Sequence, residues 1–192
     1  METKNKYFLL RHGQTIYQKE NRNLIYSDDE YFSLEITEEG RKRIKEQAEE
    51  LENKKIDLIF SSPLLRAKQS AEIISNVLNL PVAYDKRLID MKMGELAGKQ
   101  TSIFKDFFVN KKLGLLSRPK GGENWVDILE RMTDFLDDIE NKYEDKNILI
   151  ISHGEPLWLL AAYLNGAKTV DEFLVTRKKE KLYPLTGDLI EI

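Results

Sequence analysis

Hydrophobic residues follow two alternating patterns along the chain. Short apolar runs, which are typical of buried strands, occupy residues 7–10, 56–60 and 148–151. Between them, apolar residues recur every three or four positions, which predicts amphipathic helices from Thr37, over 67–78 and from Asn124. Thr37 is a suitable N-cap because its hydroxyl can accept from the first turn.

Weaker patterns complete the prediction. Short strands are expected at 82–84 and 189–192, and helical stretches at 103–109 and 157–164. Gly94 and Gly98 make 88–100 a loop with backbone freedom. Alternation of strand and helix with connections of this length predicts an α/β fold in three α/β/α layers around a mostly parallel sheet. We expect one domain over 1–192, with long excursions at 17–34 and 98–122.

Composition narrows the function classes. The 192 residues carry a net charge of −3 with both signs dispersed, so there is no field to attract nucleic acid. Without cysteine, disulfides, thiolate metal sites and cysteine nucleophiles are excluded. The first residues lack the apolar stretch of a secretory signal, and the apolar run at 156–164 is too short for a membrane helix. We expect a soluble, cytoplasmic protein without membrane contact; the sequence does not indicate its oligomeric state.

The two histidines occur in the same local context. His12 and His153 each follow an apolar strand and one polar residue, and each precedes a glycine. Ligands bind beyond the carboxyl ends of the strands in such sheets, so both imidazoles are expected at one functional edge. The alternative is that each is an ordinary histidine satisfied by the backbone, but the repetition of the context favours function.

Two arginines give this edge its chemistry. Arg11 precedes His12, and Arg66 lies where a helix begins, so their guanidinium groups suit an anion. Neutral imidazole is a competent nucleophile toward phosphorus, and nearby cations stabilise the charge on a transferring phosphoryl group. A zinc hydrolase is disfavoured because only two histidines exist and the His-Glu-x-x-His spacing is absent; no P-loop motif occurs either.

Five segments in a fixed order now carry a family resemblance. They are residues 11–15 (RHGQT), 37–40 (TEEG), 61–72 (SSPLLRAKQSAE), 121–123 (GGE) and 152–154 (SHG). In these segments the chain resembles the histidine phosphatase superfamily, the phosphoglycerate mutase-like clan. The resemblance extends from residue 6 to about 165 and supports the three-layer fold.

The resemblance implies a mechanism without metal or cofactor. His12 would accept the phosphoryl group, while Arg11, Arg66 and His153 would bind its oxygens. We expect a phosphomonoesterase acting on a small phosphorylated metabolite, with inorganic phosphate as product. A phosphoglycerate mutase-type phosphotransferase is the alternative within the clan. The mutases of the clan are, however, longer than this chain. From another class, a weakly catalytic phosphate-binding relative remains open.

The residues offer more than one candidate for the general acid. The family usually supplies Glu shortly before a Gly-x-x-x-Gly stretch, and here the match over 88–94 puts Asp90 at that position. Aspartate is one methylene shorter than glutamate, so either the backbone approaches more closely here or another acid takes its place. Glu95 and Glu155 are the alternatives.

Further residues are expected to bind substrate. We assign Thr15, Gln18, Gly154 and Glu155 to this role. Gln18 stands where the family commonly has Asn, and residues 21–26 replace a Gly-rich segment, which reshapes the pocket rim. Aromatic and basic residues in the excursion at 98–122 suggest a lid over the substrate's organic part, namely Phe104, Phe107, Phe108, Lys111 and Lys112.

Overall fold

The computed structural model describes residues 3–110, 117–178 and 182–192, and it contains a five-stranded sheet. The strands are β1 (Lys6–Arg11), β2 (Leu58–Ser61), β3 (Val82–Tyr84), β4 (Asn147–Ser152) and β5 (Leu189–Glu191). Their order across the sheet is β3-β2-β4-β1-β5, and only β5 runs antiparallel to its neighbour. The predicted mostly parallel sheet is confirmed.

The helices follow the alternation that the sequence predicts. They are α1 (Ile16–Lys19), α2 (Asp28–Ser33), α3 (Glu38–Glu52), α4 (Leu65–Leu78), α5 (Thr101–Phe104), α6 (Trp125–Lys142), α7 (Gly154–Leu164) and α8 (Val170–Lys178). Short 3₁₀ turns cover Lys86–Leu88 and Gly94–Leu96, and a π-helical stretch, Lys105–Asn110, continues α5. Thr37 caps α3 as expected, its hydroxyl accepting from the amide of Gly40.

The sheet separates two apolar cores, which makes the fold three-layered. Alternate residues of β1 point to opposite faces, so Leu9 packs with α6 and α7 while Leu10 packs with α3 and α4. Strands β1 and β4 are buried on both faces of the sheet, as their continuous apolar runs predicted. No helix in the part of the chain described combines the length and apolarity needed to cross a bilayer.

The elements differ from expectation in a few places. Strand β2 begins at Leu58 rather than at residue 56, because its partner β4 pairs only from Ile148 onward. The sequence pattern predicts no helix at the positions of α1, α2 and α8. In α8 the apolar pattern is weak, and among its side chains that the structure describes Phe173 is the one buried in the core.

The excursion at 98–122 is partly anchored in the core. Phe108 is fully buried and stacks on Trp125, and Phe107 packs against it. Phe104, by contrast, lines a cavity above the sheet. Lys111 and Lys112 lie outside the described residues. The lid therefore stays a prediction for this segment.

Candidate active site

Three neighbouring strands deliver the candidate residues to one edge of the sheet. Arg11 pairs in register with Ser152, and the amide of His12 donates to the Ser152 carbonyl at 3.1 Å. His12 and His153 therefore leave adjacent strands side by side. Their ring centroids are 5.1 Å apart. The two identical sequence contexts thus meet in space, as their strand-end positions predicted.

His12 is oriented by its own backbone neighbour. Its Nδ1 lies 2.8 Å from the carbonyl oxygen of Gly13, an acceptor, so the ring proton resides on Nδ1. The lone pair is then on Nε2, which is buried and has no hydrogen-bond partner among the described residues. An imidazole in this tautomer presents a free nucleophilic nitrogen.

His153 is oriented by a serine from the next strand. Its Nε2 lies 2.8 Å from Oγ of Ser62, whose hydroxyl also accepts from the amide of Leu64. The hydroxyl can donate to Nε2, which puts the ring proton of His153 on Nδ1, the nitrogen that lies near the Asp90 carboxylate. This Nδ1 has no hydrogen-bond partner in the described structure and lies 3.6 Å from Oδ2 of Asp90.

Both imidazoles are held in the neutral form. Burial lowers the pKa of His12 well below its ordinary value, and the positive charges of Arg66 and Arg11 lower it further. Burial likewise lowers the pKa of His153, with Arg66 and Arg11 adding to the effect. A neutral His12 retains its lone pair at neutral pH, as a nucleophile requires.

The two arginines present unused donors to the same space. Arg66 is fully buried; its Nη1 donates to the carbonyl of Tyr31 at 2.8 Å and its Nη2 to Asp90 at 2.9 Å. Arg11 donates from Nη1 to the carbonyl of Pro184 at 3.0 Å. The Nε of each arginine is buried without a partner among the residues described.

Asp90 is fixed between these cations. Its Oδ1 accepts from the amide of Met91 at 2.9 Å, which turns Oδ2 toward Arg66 and His153. Its carbonyl accepts from the hydroxyl of Tyr31 at 2.6 Å and from Arg131 at 3.3 Å. The carboxyl group is therefore held beside Arg66 and His153.

A cavity of about 490 Å³ opens onto this cluster. Arg11, Asp90 and Gly154 form its inner end, while the histidine rings and Arg66 lie buried behind them. The remaining lining is largely apolar and comprises Leu24, Ile25, Tyr26, Tyr31, Met91, Met93, Ala97 and Phe104, with Gln18, Asp28, Thr101, Lys105, Glu155, Arg177 and Tyr183. Its size suits a small organic molecule.

The other predicted substrate residues occupy different positions. Gln18 lines the cavity and donates to the hydroxyl of Tyr26 at 2.8 Å. Thr15 is fully buried, and its hydroxyl donates to Gln18 at 2.7 Å. Gly154 admits Arg11 and Tyr183, since a Cβ there would lie 2.7 Å from the tyrosine hydroxyl and 3.2 Å from Cζ of Arg11.

The two alternative acids lie apart from the histidines. Glu95 is exposed and accepts from the backbone amide of Lys120 at 3.3 Å. Glu155 lines the cavity but is bound by both terminal nitrogens of Arg177, each at 2.6 Å. Among the described residues, Asp90 is the one of the three candidates that contacts Arg66 and lies near His153. The geometry favours Asp90 as the acid.

Several residues of the site carry no specific signal in the sequence. Tyr26 and Tyr31 come from the first excursion and place their rings over Arg66, with centroids 4.7 Å and 5.8 Å from Cζ. Arg177 and Tyr183 come from the C-terminal region, where the sequence pattern is weakest. Ser62 could have been singled out, because it lies in the same segment as Arg66.

The comparisons with known proteins agree with this geometry. Residues 7–175 match the histidine phosphatase superfamily (branch 1). A putative phosphoserine phosphatase 2 from Hydrogenobacter thermophilus is 30% identical over 166 residues, covering 84% of this chain and 79% of that protein. A probable phosphoglycerate mutase, GpmB, from Erwinia tasmaniensis is 26% identical and covers 83% of this chain and 74% of its own.

Solved structures show the same fold. Bacillus stearothermophilus YhfR superposes with a TM-score of 0.75 at 25% identity, covering 88% of this chain and 83% of that one. A mycobacterial glucosyl-3-phosphoglycerate phosphatase in complex with VO3 superposes with a TM-score of 0.74 at 23% identity. The match covers 88% of this chain and 84% of that one. The phosphatase names among the relatives support phosphatase activity. By the match over most of its length and the paired strand-end histidines, this chain belongs to the histidine phosphatase superfamily, branch 1.

Proposed function

We propose that the protein is a metal-independent phosphomonoesterase that hydrolyses a small phosphorylated metabolite through a phosphohistidine on His12. The observation that carries this proposal is that Arg11, His12, Arg66 and His153 each have a buried nitrogen without a hydrogen-bond partner among the described residues. Buried polar groups without partners are costly, and a phosphoryl group supplies the oxygens and the phosphorus atom that would engage all four.

The first half-reaction transfers the phosphoryl group to the protein. Nε2 of His12 attacks phosphorus, the P–N bond forms and the P–O bond to the organic group breaks. Arg11, Arg66 and Nδ1 of His153 stabilise the charge on the equatorial oxygens, each worth about 3–4 kcal/mol if it acts like other preorganised donors. The ester binds as its monoanion, and Asp90 passes the proton of the ester to the departing oxygen.

The second half-reaction returns the protein to its starting state. Asp90, now a carboxylate, takes a proton from water as that water attacks phosphorus. The P–N bond breaks, and inorganic phosphate leaves with that proton. Asp90 is then again the carboxylate that pairs with Arg66. A phosphoryl oxygen therefore competes with this carboxylate for Nη2 of Arg66. The substrate must displace the Asp90 carboxylate from that nitrogen when it binds.

Trapping the intermediate tests the proposal. Rapid mixing with ³²P-labelled aryl phosphate, followed by an alkaline quench and peptide mapping, is expected to place the label on the peptide that contains His12. His12→Asn should show neither label nor turnover. In His153→Asn, whatever label forms should still be on His12. Label on another residue, or turnover by His12→Asn, overturns the mechanism.

The same preparation distinguishes the alternatives. A hydrolase in H₂¹⁸O releases inorganic phosphate with one ¹⁸O, because water attacks the phosphoryl group. A mutase-type enzyme instead interconverts 2- and 3-phosphoglycerate with little phosphate release. A weakly catalytic relative would bind vanadate yet fail to turn over an aryl phosphate, whose good leaving group needs little protonation. Activity unchanged by EDTA is expected for a reaction without metal.

A further inference from the structure

The wall of the cavity beyond the phosphoryl site contains a buried ion pair. Both terminal nitrogens of Arg177 contact the two carboxylate oxygens of Glu155, each at 2.6 Å. The side chains are only 17% and 7% exposed, yet both line the cavity. The hydroxyl of Tyr183 also donates to Glu155, at 3.3 Å. The pair is bidentate and adds no net charge to the wall.

Arg177 is held in place by aromatic rings as well as by its partner. Its Cζ lies 4.5 Å from the ring centroid of Trp158, 4.7 Å from Tyr183 and 5.3 Å from Trp125. Burial disfavours the cation, but the charge of Glu155 more than compensates and raises the pKa of Arg177 above its ordinary value. Both charges therefore persist, and each neutralises the other.

The surroundings of the pair offer little to a second anion. Apolar side chains form most of the remaining wall, among them Ile25, Met91, Met93 and Phe104. Lys105 is exposed and shares the lining with the oppositely charged Asp28. Arg11 faces the phosphoryl group. A substrate carboxylate reaching Arg177 would have to displace Glu155 and leave that carboxylate buried and unpaired, which is strongly unfavourable.

We propose that Glu155 is a specificity-determining residue, which masks Arg177 and reserves the site for phosphate monoesters with an uncharged, largely apolar organic group. This inference rests on the proposed phosphatase function. It describes discrimination by a built-in competitor: Glu155 occupies the arginine that would otherwise bind a second anionic group on the substrate. It also predicts that the cavity disfavours phosphoglycerates.

Three matched esters test the inference. Benzyl, 4-carboxybenzyl and 4-(aminomethyl)benzyl phosphate differ in the charge of the organic group and only slightly in the leaving oxygen. The wild type should prefer benzyl over 4-carboxybenzyl phosphate by about tenfold or more in kcat/KM. Glu155→Gln should move this ratio toward the carboxylate by about tenfold, because Arg177 is unmasked. Arg177→Gln should instead favour the ammonium ester, because Glu155 is unmasked.

Controls separate specificity from a structural role. Glu140→Gln alters a hydrogen-bonded carboxylate at the opposite edge of the sheet, where it contacts Asn5 and Tyr7, and it should leave the ratios unchanged. If Glu155→Gln fails to fold, the double variant Glu155→Gln/Arg177→Gln removes both charges; it should keep the preference for benzyl phosphate and gain neither charged ester, because no charge is left to unmask.

Two results overturn the inference. One is a wild type that hydrolyses benzyl and 4-carboxybenzyl phosphate equally well; the other is single variants that change all three esters by one common factor. A wild type that hydrolyses none of the esters refutes the phosphatase function instead. In that case the thermal shift that each ester produces in the wild type and in Glu155→Gln tests whether Glu155 sets the preference for an uncharged organic group in binding alone.

Discussion

The carboxylate of Asp90 lies 2.9 Å from Nη2 of Arg66, and the same carboxylate oxygen lies 3.6 Å from Nδ1 of His153. Arg66 is fully buried, and its other donors contact the Tyr31 carbonyl or remain unpaired. The acid proposed for catalysis thus contacts a donor that a phosphoryl oxygen needs. Binding and proton transfer are coupled through this contact.

Asp90→Asn is expected to have opposite effects on binding and turnover. Removing the competing charge should tighten the binding of inorganic phosphate, measured by calorimetry. Loss of the acid should lower kcat for alkyl phosphates by about 10²–10⁴, and for aryl phosphates far less. Glu95→Gln is the control and should change neither quantity. Equal losses on both ester classes would remove Asp90 as the acid.

Ser62→Ala is expected to disturb His153 without altering the charge of the site. The hydroxyl of Ser62 contacts Nε2 of His153 at 2.8 Å, so its loss frees the ring to change tautomer. We expect about a tenfold fall in kcat/KM, the equivalent of one hydrogen bond of about 1.4 kcal/mol. Ser62→Thr should restore most of the activity. ¹⁵N chemical shifts of His153 report the tautomer, and unchanged shifts in Ser62→Ala would contradict this positioning role.

Stability is expected to fall as pH drops from about 6.5 toward 5.5. Burial lowers the pKa of His12 and His153 in the folded state, whereas unfolding restores values near 6.5, so the unfolded chain binds more protons in this window. Each histidine then contributes about 1.4 kcal/mol less stability at pH 5.5 than above 6.5.

Urea unfolding between pH 5.5 and 8 measures this dependence. The chain contains only these two histidines, and most carboxylates titrate at lower pH, so the window is nearly free of other groups. His12→Asn should remove about half of the slope. A flat profile from pH 5.5 to 6.5 would mean that the imidazoles accept protons in the folded protein.

Gly94→Ala should destabilise the protein more than Gly98→Ala. Both glycines adopt positive φ, +50° and +73°, so alanine costs backbone strain at either position. At Gly94, however, a Cβ would lie 2.3 Å from the carbonyl oxygen of Lys120, while at Gly98 nothing lies within 4 Å. The difference in melting temperature between the two variants isolates the clash. Equal melting temperatures would show that the 119–122 turn can move away.

The sequence was sufficient for the fold and for the proposed catalytic centre. Continuous apolar runs identify strands buried on both faces, and the polar residue that ends each run marks the carboxyl edge. Since parallel neighbours must align these ends, His12 and His153 are predicted to meet although they lie far apart in the chain. The match over 88–94 likewise placed Asp90 at the centre.

Tertiary structure alone decided the surroundings of that centre. Glu155 next to His153 resembles a candidate acid in the sequence, but Arg177 from a weakly patterned helix pairs with it. Tyr26 and Tyr31 cover Arg66 because of how the first excursion packs, which no periodicity encodes.

The division has a physical reason. Strand ends and helix starts are set by local hydrophobic pattern and backbone hydrogen bonding, which neighbouring residues largely determine. The partner of a charged side chain depends instead on which distant loops and helices pack beside it, and therefore on the whole folded arrangement. The sequence by itself thus determined where phosphoryl chemistry is expected, and the packing of distant segments decided which charges remain available to a substrate.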